Sequence, residues 1–183
     1  MGWCALETGR SGEAEALFRR ALEIKEAKLG AGDVNVAYTL HDMGRCTLEA
    51  GRPGEAEALF SRALNIFEAK LGAGDVNVAY TLHEIGRCAL EAGRPVETEA
   101  SFLRALEIFE VKLGRDDMQV AVTLGNLGRC ARQAGRSGEA EALLERALEI
   151  FETNLGADHV DVAEIRLALD RRAEDASGPA DTT

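Results

Sequence analysis

Four cysteines, Cys4, Cys46, Cys88 and Cys130, stand 42 residues apart, and that single interval constrains the fold more than any other feature of the chain. The same step relates Gly9, Gly51, Gly93 and Gly135, and again Ala21, Ala63, Ala105 and Ala147. Segments 12–53 and 54–95 differ at only six positions. A fixed period of this length is the signature of a stacked repeat architecture, in which each unit buries its apolar face against its neighbours.

Within a unit the apolar spacing is helical. In the second, Val36, Leu40, Met43, Gly44 and Thr47 follow steps of three and four and mark the buried stripe of a first helix, A. Gly51 stands just past its end, where a left-handed C-cap needs no Cβ. Pro53 then occupies the first position of a second helix, B, where its missing N–H costs nothing. Ala56, Leu59, Phe60, Ala63, Leu64 and Phe67 form the stripe of B, Gly72 closes it, and Asp75 is placed to cap the next A. Composition agrees, because Ala, Leu and Glu dominate and only 3 residues are proline.

Small residues at Gly44, Ala56 and Ala63, with Leu40 and Phe60 between them, resemble the tetratricopeptide pattern, whose usual length is about 34 residues. The 42-residue form is similar to the kinesin light chain type, with RALEI followed by a long tail ending in LG and then D-x-x-VA. RALEIFEVKLG (104–114) and LGADHVDVA (155–163) carry that match. Similar arrays also form C-terminal sensor regions of NB-ARC-type signalling ATPases. The resemblance covers roughly residues 2–170 and implies an all-α fold, a right-handed α-solenoid of antiparallel helix hairpins. The expected organisation is a truncated first repeat over 1–30 (partial helix A plus helix B) and full repeats over 31–72, 73–114 and 115–156. A capping helix over 157–175 and a disordered tail over 176–183 follow.

The first helix A looks cut, with Met1 about midway along it and Trp3 where later repeats have Arg45, Arg87 and Arg129. The expectation is a fragment of a longer array or a truncated gene product. Its uncapped apolar edge, near Leu17 and Phe18, would then be a place for self-association.

Charge narrows the partners. The net charge of −11, from 32 acidic against 21 basic residues, repels nucleic acid and anionic membrane surfaces. No stretch approaches the roughly 18–20 apolar residues of a membrane span. MGWCALETGR lacks a secretory signal, and Leu6 breaks the myristoylation pattern. A soluble, cytoplasmic protein is expected.

Equivalent helices of neighbouring repeats pack about 8–10 Å apart, too far for a disulfide, which needs Cα atoms within about 7 Å. The four cysteines are therefore expected to be small apolar fillers. His41, His83 and His159 form no local metal cluster and are expected to be solvated or groove-lining, with His159 in a loop or cap. The G-x-G in GAGDVN (30–35 and 72–77) follows a helix, not a strand, and lacks a third glycine, so it is no phosphate loop. There is no Walker A loop, H-E-x-x-H or G-x-S-x-G. Glutamates on helix B read as a solvated face with i, i+4 partners. The expectation is a protein that is not an enzyme and has no cofactor and no metal.

What remains is the outward side of helix A, which lines the concave groove of such a solenoid. Helical steps place Tyr38, His41, Asp42, Arg45 and Glu49 there in the second unit. The third supplies Tyr80, His83, Glu84, Arg87 and Glu91, and the fourth Val122, Gly125, Asn126, Arg129 and Gln133. One arginine per repeat makes a ladder of forked donors suited to carboxylates or peptide carbonyls, and the tyrosines suit an anchored side chain. The plainer reading pairs Arg45 with Asp42 and Arg87 with Glu84 on a wet helix face. The kinesin light chain resemblance implies an L-N-N-L type cargo signature on helix A. LHDM (40–43), LHEI (82–85) and LGNL (124–127) stand there, and only Asn126 matches its second asparagine. Three functions stay open: a scaffold binding a peptide or partner domain in the groove, the repeat region of an NB-ARC-type signalling ATPase, and a kinesin light chain-like cargo adaptor.

Overall fold

The computed structural model describes the backbone of residues 11–176 and the side chains of residues 15–170. Among the described residues there are eight α-helices and no strand. They are α1 (Ser11–Leu29), α2 (Val34–Glu49), α3 (Pro53–Leu71), α4 (Val76–Glu91), α5 (Pro95–Leu113), α6 (Met118–Gln133), α7 (Ser137–Leu155) and α8 (Val160–Ala176). Helices α2, α4 and α6 are the A helices of the repeats, and α1, α3, α5 and α7 are the B helices. Trp3, Cys4 and Gly9, and the tail from residue 177, lie outside the described residues. The result is an all-α helical-repeat solenoid made of two compact units, Met1–Ile108 and Phe109–Thr183, divided within α5. No helix among the described residues is long and apolar enough to cross a membrane.

The start and stop signals act through specific hydrogen bonds. Asp33, Asp75 and Asp117 hold extended backbone before each A helix. Their Oδ1 atoms accept the N–H of Asn35, Asn77 and Gln119 at 2.8, 2.9 and 2.8 Å, satisfying donors that the first helical turn leaves open. His159 takes the aspartate's place before α8, where its Nδ1 accepts the Asp161 N–H at 3.3 Å. At the other end, Gly51 lies in the left-handed region (φ 73°). The Gly51 N–H donates to the Leu48 carbonyl at 2.8 Å and the Arg52 N–H to Thr47 at 3.1 Å, the paired closure that favours glycine after a helix. Gly93 with Arg94, and Gly135 with Arg136, repeat it.

Inside each hairpin a glycine on A faces a large side chain on B. A Cβ added at Gly44 would stand 2.7 Å from the Phe60 ring, at Gly86 2.7 Å from Phe102, and at Gly128 2.7 Å from Leu144. The absent side chain is what lets the two helices approach. Phe60, Phe67, Phe102 and Phe109 are fully buried, each contributing about 2–3 kcal/mol of transfer free energy. Leu59 and Leu64, on the same predicted stripe, are half-buried. Cys46, Cys88 and Cys130 are buried free thiols, and Cys88 packs in one cluster with Leu48, Ala56 and Phe60. Burial, then neighbouring carboxylates, pushes the Cys46 thiol up to about 11 and Cys88 up to about 12.

The B-helix glutamates differ from the sequence expectation. Arg19 does reach Glu15 at i, i+4 (2.8 Å), but most partners come from the neighbouring repeat. In the first unit Arg52 bonds Glu15 at 2.5 Å, Arg94 bonds Glu57, Arg62 bonds Glu26 at 2.6 Å, and Arg104 bonds Glu68 at 2.5 Å. In the second unit Arg146 bonds Glu110 at 2.5 Å and Arg166 bonds Glu152 at 2.6 Å. Each partly exposed pair contributes on the order of 0–1 kcal/mol. Their effect is to fix the register of one repeat on the next.

Candidate functional site

The candidate residues all stand on A helices, but their exposure differs. In the first unit, where α2 packs on α4, Tyr38 and Tyr80 are 44% and 37% exposed. The Tyr38 ring meets buried Phe67 edge-on at 5.1 Å, so one side of it is anchored and the other faces solvent. Glu49 and Glu91 are exposed at the helix ends, while Asp42, Arg45 and Arg87 are half-buried.

The two histidines are not solvated. His83 is 7% exposed and His41 is half-buried, with rings packed on Phe102 at 5.2 Å and Phe60 at 5.3 Å. His41 Nδ1 lies 3.2 Å from Thr81 Oγ1. The Thr81 hydroxyl donates to the Asn77 carbonyl at 2.7 Å, so its oxygen accepts the imidazole N–H, which places the ring proton on Nδ1. Burial first, then the guanidinium one turn along (Arg45 or Arg87), holds both histidines neutral with pKa lowered to about 4. For His41 the physical reason is non-local: its position on α2 is covered by α4 of the next repeat, which one repeat's periodicity does not reveal. His159, by contrast, has a 40% exposed side chain with Nδ1 3.5 Å from Asp161 Oδ2.

Glu84 also departs from the wet-face picture. Its side chain is only 14% exposed and accepts from Arg87 at 2.9 Å. Burial raises its carboxyl pKa, opposed by the positive charges of Arg87 and Arg45. The carboxylate thus bonds Arg87 on its own helix and also feels the positive charge of Arg45 on α2.

In the second unit, Asn126 is half-buried and Arg129 and Gln133 are exposed on α6. Asn126 and Arg129 line a cleft of about 480 Å³ between α6 and α8. Arg132, which sequence reasoning left aside, also lines it and donates to the Ala168 carbonyl at 2.6 Å. Among the described residues no three His, Cys, Asp or Glu side chains converge as a metal site would require.

A tetratricopeptide repeat family model matches residues 1–69 and 77–153. Among solved structures, BtubC (BKLC) from P. vanneervenii superposes with a TM-score of 0.84 at 21% identity, over 96% of this chain and 70% of its own. A protein from Podospora anserina, described as a kinesin light chain of nearly identical TPR-like repeats, gives a TM-score of 0.80 at 20% identity, over 96% and 83%. The apo form of RapI gives 0.82 at 20% identity, over 96% and 62%. No curated protein matches the chain in sequence.

Proposed function

Because the chain belongs to the tetratricopeptide repeat family, we propose that it is a non-catalytic interaction scaffold that binds a peptide or partner domain along its A-helix face. The observation that carries this reading is the set of side chains the A helices present. Arg62 and Arg104 on the B helices, and Arg52 and Arg94 just before them, pair with Glu26, Glu68, Glu15 and Glu57 of the neighbouring repeat. Each A helix presents one guanidinium, of Arg45, Arg87 or Arg129, a fork for carbonyl or carboxylate oxygens, and in the first unit Tyr38 and Tyr80 add a half-exposed ring for packing.

This reading gives the candidate residues two roles. Tyr38, Asp42, Arg45, Glu49, Tyr80, Arg87 and Glu91 in the first unit, with Asn126, Arg129 and Gln133 in the second, are the contact groups. His41, His83 and Glu84 hold the helices that present them. A narrower reading, a kinesin light chain-like adaptor, draws on the P. anserina likeness in fold. Its asparagine chemistry would rest on Asn126 alone, since His41, Asp42, His83, Glu84 and Gly125 occupy the other signature positions.

The test is selection of peptides from a displayed random library by residues 1–183, followed by affinity measurement with Arg45/Arg87/Arg129→Ala. A loss of at least tenfold in the triple variant, with helical content kept, is the expected result. Selected peptides held equally by parent and variant would reject the A-face reading.

A further inference from the structure

We propose that the cleft between α6 and α8 is a subsite for a large apolar side chain, of about phenylalanine's size, carried by an uncharged extended peptide. The inference deepens the peptide-binding reading and rests on it. It comes from comparing one nook across the repeats. In the second repeat the His41 ring fills the space between α2 and α4, lying on Phe60 and bonded to Thr81. In the third, His83 lies on Phe102 in the same way. In the fourth, all three positions change together: Gly125 replaces the histidine, Leu144 the phenylalanine, and Ile165 the threonine.

The changes remove an imidazole, trade a phenyl for an isobutyl group, and replace the hydroxyl with an ethyl-bearing chain. Gly125, Leu144 and Ile165 all line the resulting cleft of about 480 Å³. That size lies within the usual range of about 300–1,000 Å³ for ligand clefts. A Cβ at Gly125 would meet only the Ile165 Cδ1, at 3.3 Å. With the polar bond lost along with the ring, Val122, Leu144, Phe151 and Ile165 offer apolar side chains to an occupant. An apolar ring suits it and an imidazole does not.

The rim sets the rest of the chemistry. Asn126, Arg129 and Arg132 stand on the α6 side, and Asp161 and Glu164 on the α8 side. Along an extended backbone each residue turns its C=O and N–H to one edge and the next residue turns both to the other, so either edge offers carbonyls to the α6 donors and N–H groups to the α8 carboxylates. The two signs offset each other, which is why the segment is uncharged.

The probe is N-acetyl-phenylalanine methylamide, titrated into residues 1–183 while methyl NMR signals of Ile165 and Leu144 are followed. Saturable shifts are expected, with the alanine counterpart at least tenfold weaker. Gly125→His, which restores the ring of the sister repeats, should abolish the shifts while circular dichroism and the thermal midpoint are kept. Leu144→Phe, which restores the sister floor, is a second variant and should weaken the probe at least tenfold. Absence of saturable shifts, equal binding of the alanine counterpart, or binding unchanged in both variants would overturn the proposal. If library-selected peptides still bind while the probe does not, the cleft falls and the A-face reading stands. If the probe saturates and Arg45/Arg87→Ala leaves peptide affinity intact, the cleft stands without the first unit's face.

Discussion

Lowering the pH from 7 to 5 should destabilise the chain through two side chains, His41 and His83. Both rings are packed on a phenylalanine of helix B, and burial lowers each pKa from 6.5 to about 4. The unfolded chain takes up a proton at each histidine as pH falls through 6.5, whereas the folded chain refuses it until about 4. Stability is therefore fully present above 6.5 and is lost progressively as pH falls towards 4, because the unfolded state binds more protons throughout that window. At pH 5 relative to pH 7 the loss is about 2 kcal/mol per histidine. Glu84 works in the opposite sense, since its raised carboxyl pKa lets the folded state take the proton first. The assay is urea unfolding followed by circular dichroism at both pH values, for the parent and for His41→Gln/His83→Gln. Taking the difference between the two proteins cancels Glu84 and every other group. The parent should lose about 4 kcal/mol more than the double variant. An equal loss in both proteins would refute the claim that these rings are buried and neutral.

Gly86→Ala should destabilise by about 1–2 kcal/mol despite the better helix propensity of alanine, because the new methyl falls 2.7 Å from the buried Phe102 ring. Chemical denaturation against the parent checks this, and a stability equal to or above the parent's would contradict it. Cys46, Cys88 and Cys130, buried and with the first two pKa values raised to about 11 and about 12, should resist a thiol reagent at pH 8 until urea unfolds the chain. Mass spectrometry of the labelled peptides reads this, and labelling in native buffer at the rate of a free peptide would contradict it. Asp75→Ala should cost about 1 kcal/mol by removing the acceptor of the Asn77 N–H, seen as a lower urea midpoint with an unchanged slope.

Much of this fold was legible in the sequence because the signals are local and recur at one interval. Gly51 closes α2, Pro53 opens α3, and Asp75 caps α4 through bonds that span no more than five residues. The buried cysteines followed from the same reasoning, since a small apolar residue at a fixed helical step has one place to go. The histidines were harder. Their step along the helix puts them on the A face, yet burial depends on Thr81 and Phe102, supplied by other helices. The inter-repeat arginine pairs were readable in principle from constant offsets: 52 to 15 and 94 to 57, and 62 to 26 and 104 to 68. They lie outside the i, i+4 window of a single helix. The cleft beside Gly125 needed three positions to be compared between repeats at once, with the packing of α8 known.

The central claim is that partners are held on the A-helix face. The most direct measurement is amide NMR of residues 1–183 titrated with a library-selected peptide. Shifts should concentrate within residues 38–49, 80–91 and 126–133. Shifts confined to the outer faces of α3, α5 and α7, with the A-helix signals unmoved, would contradict it.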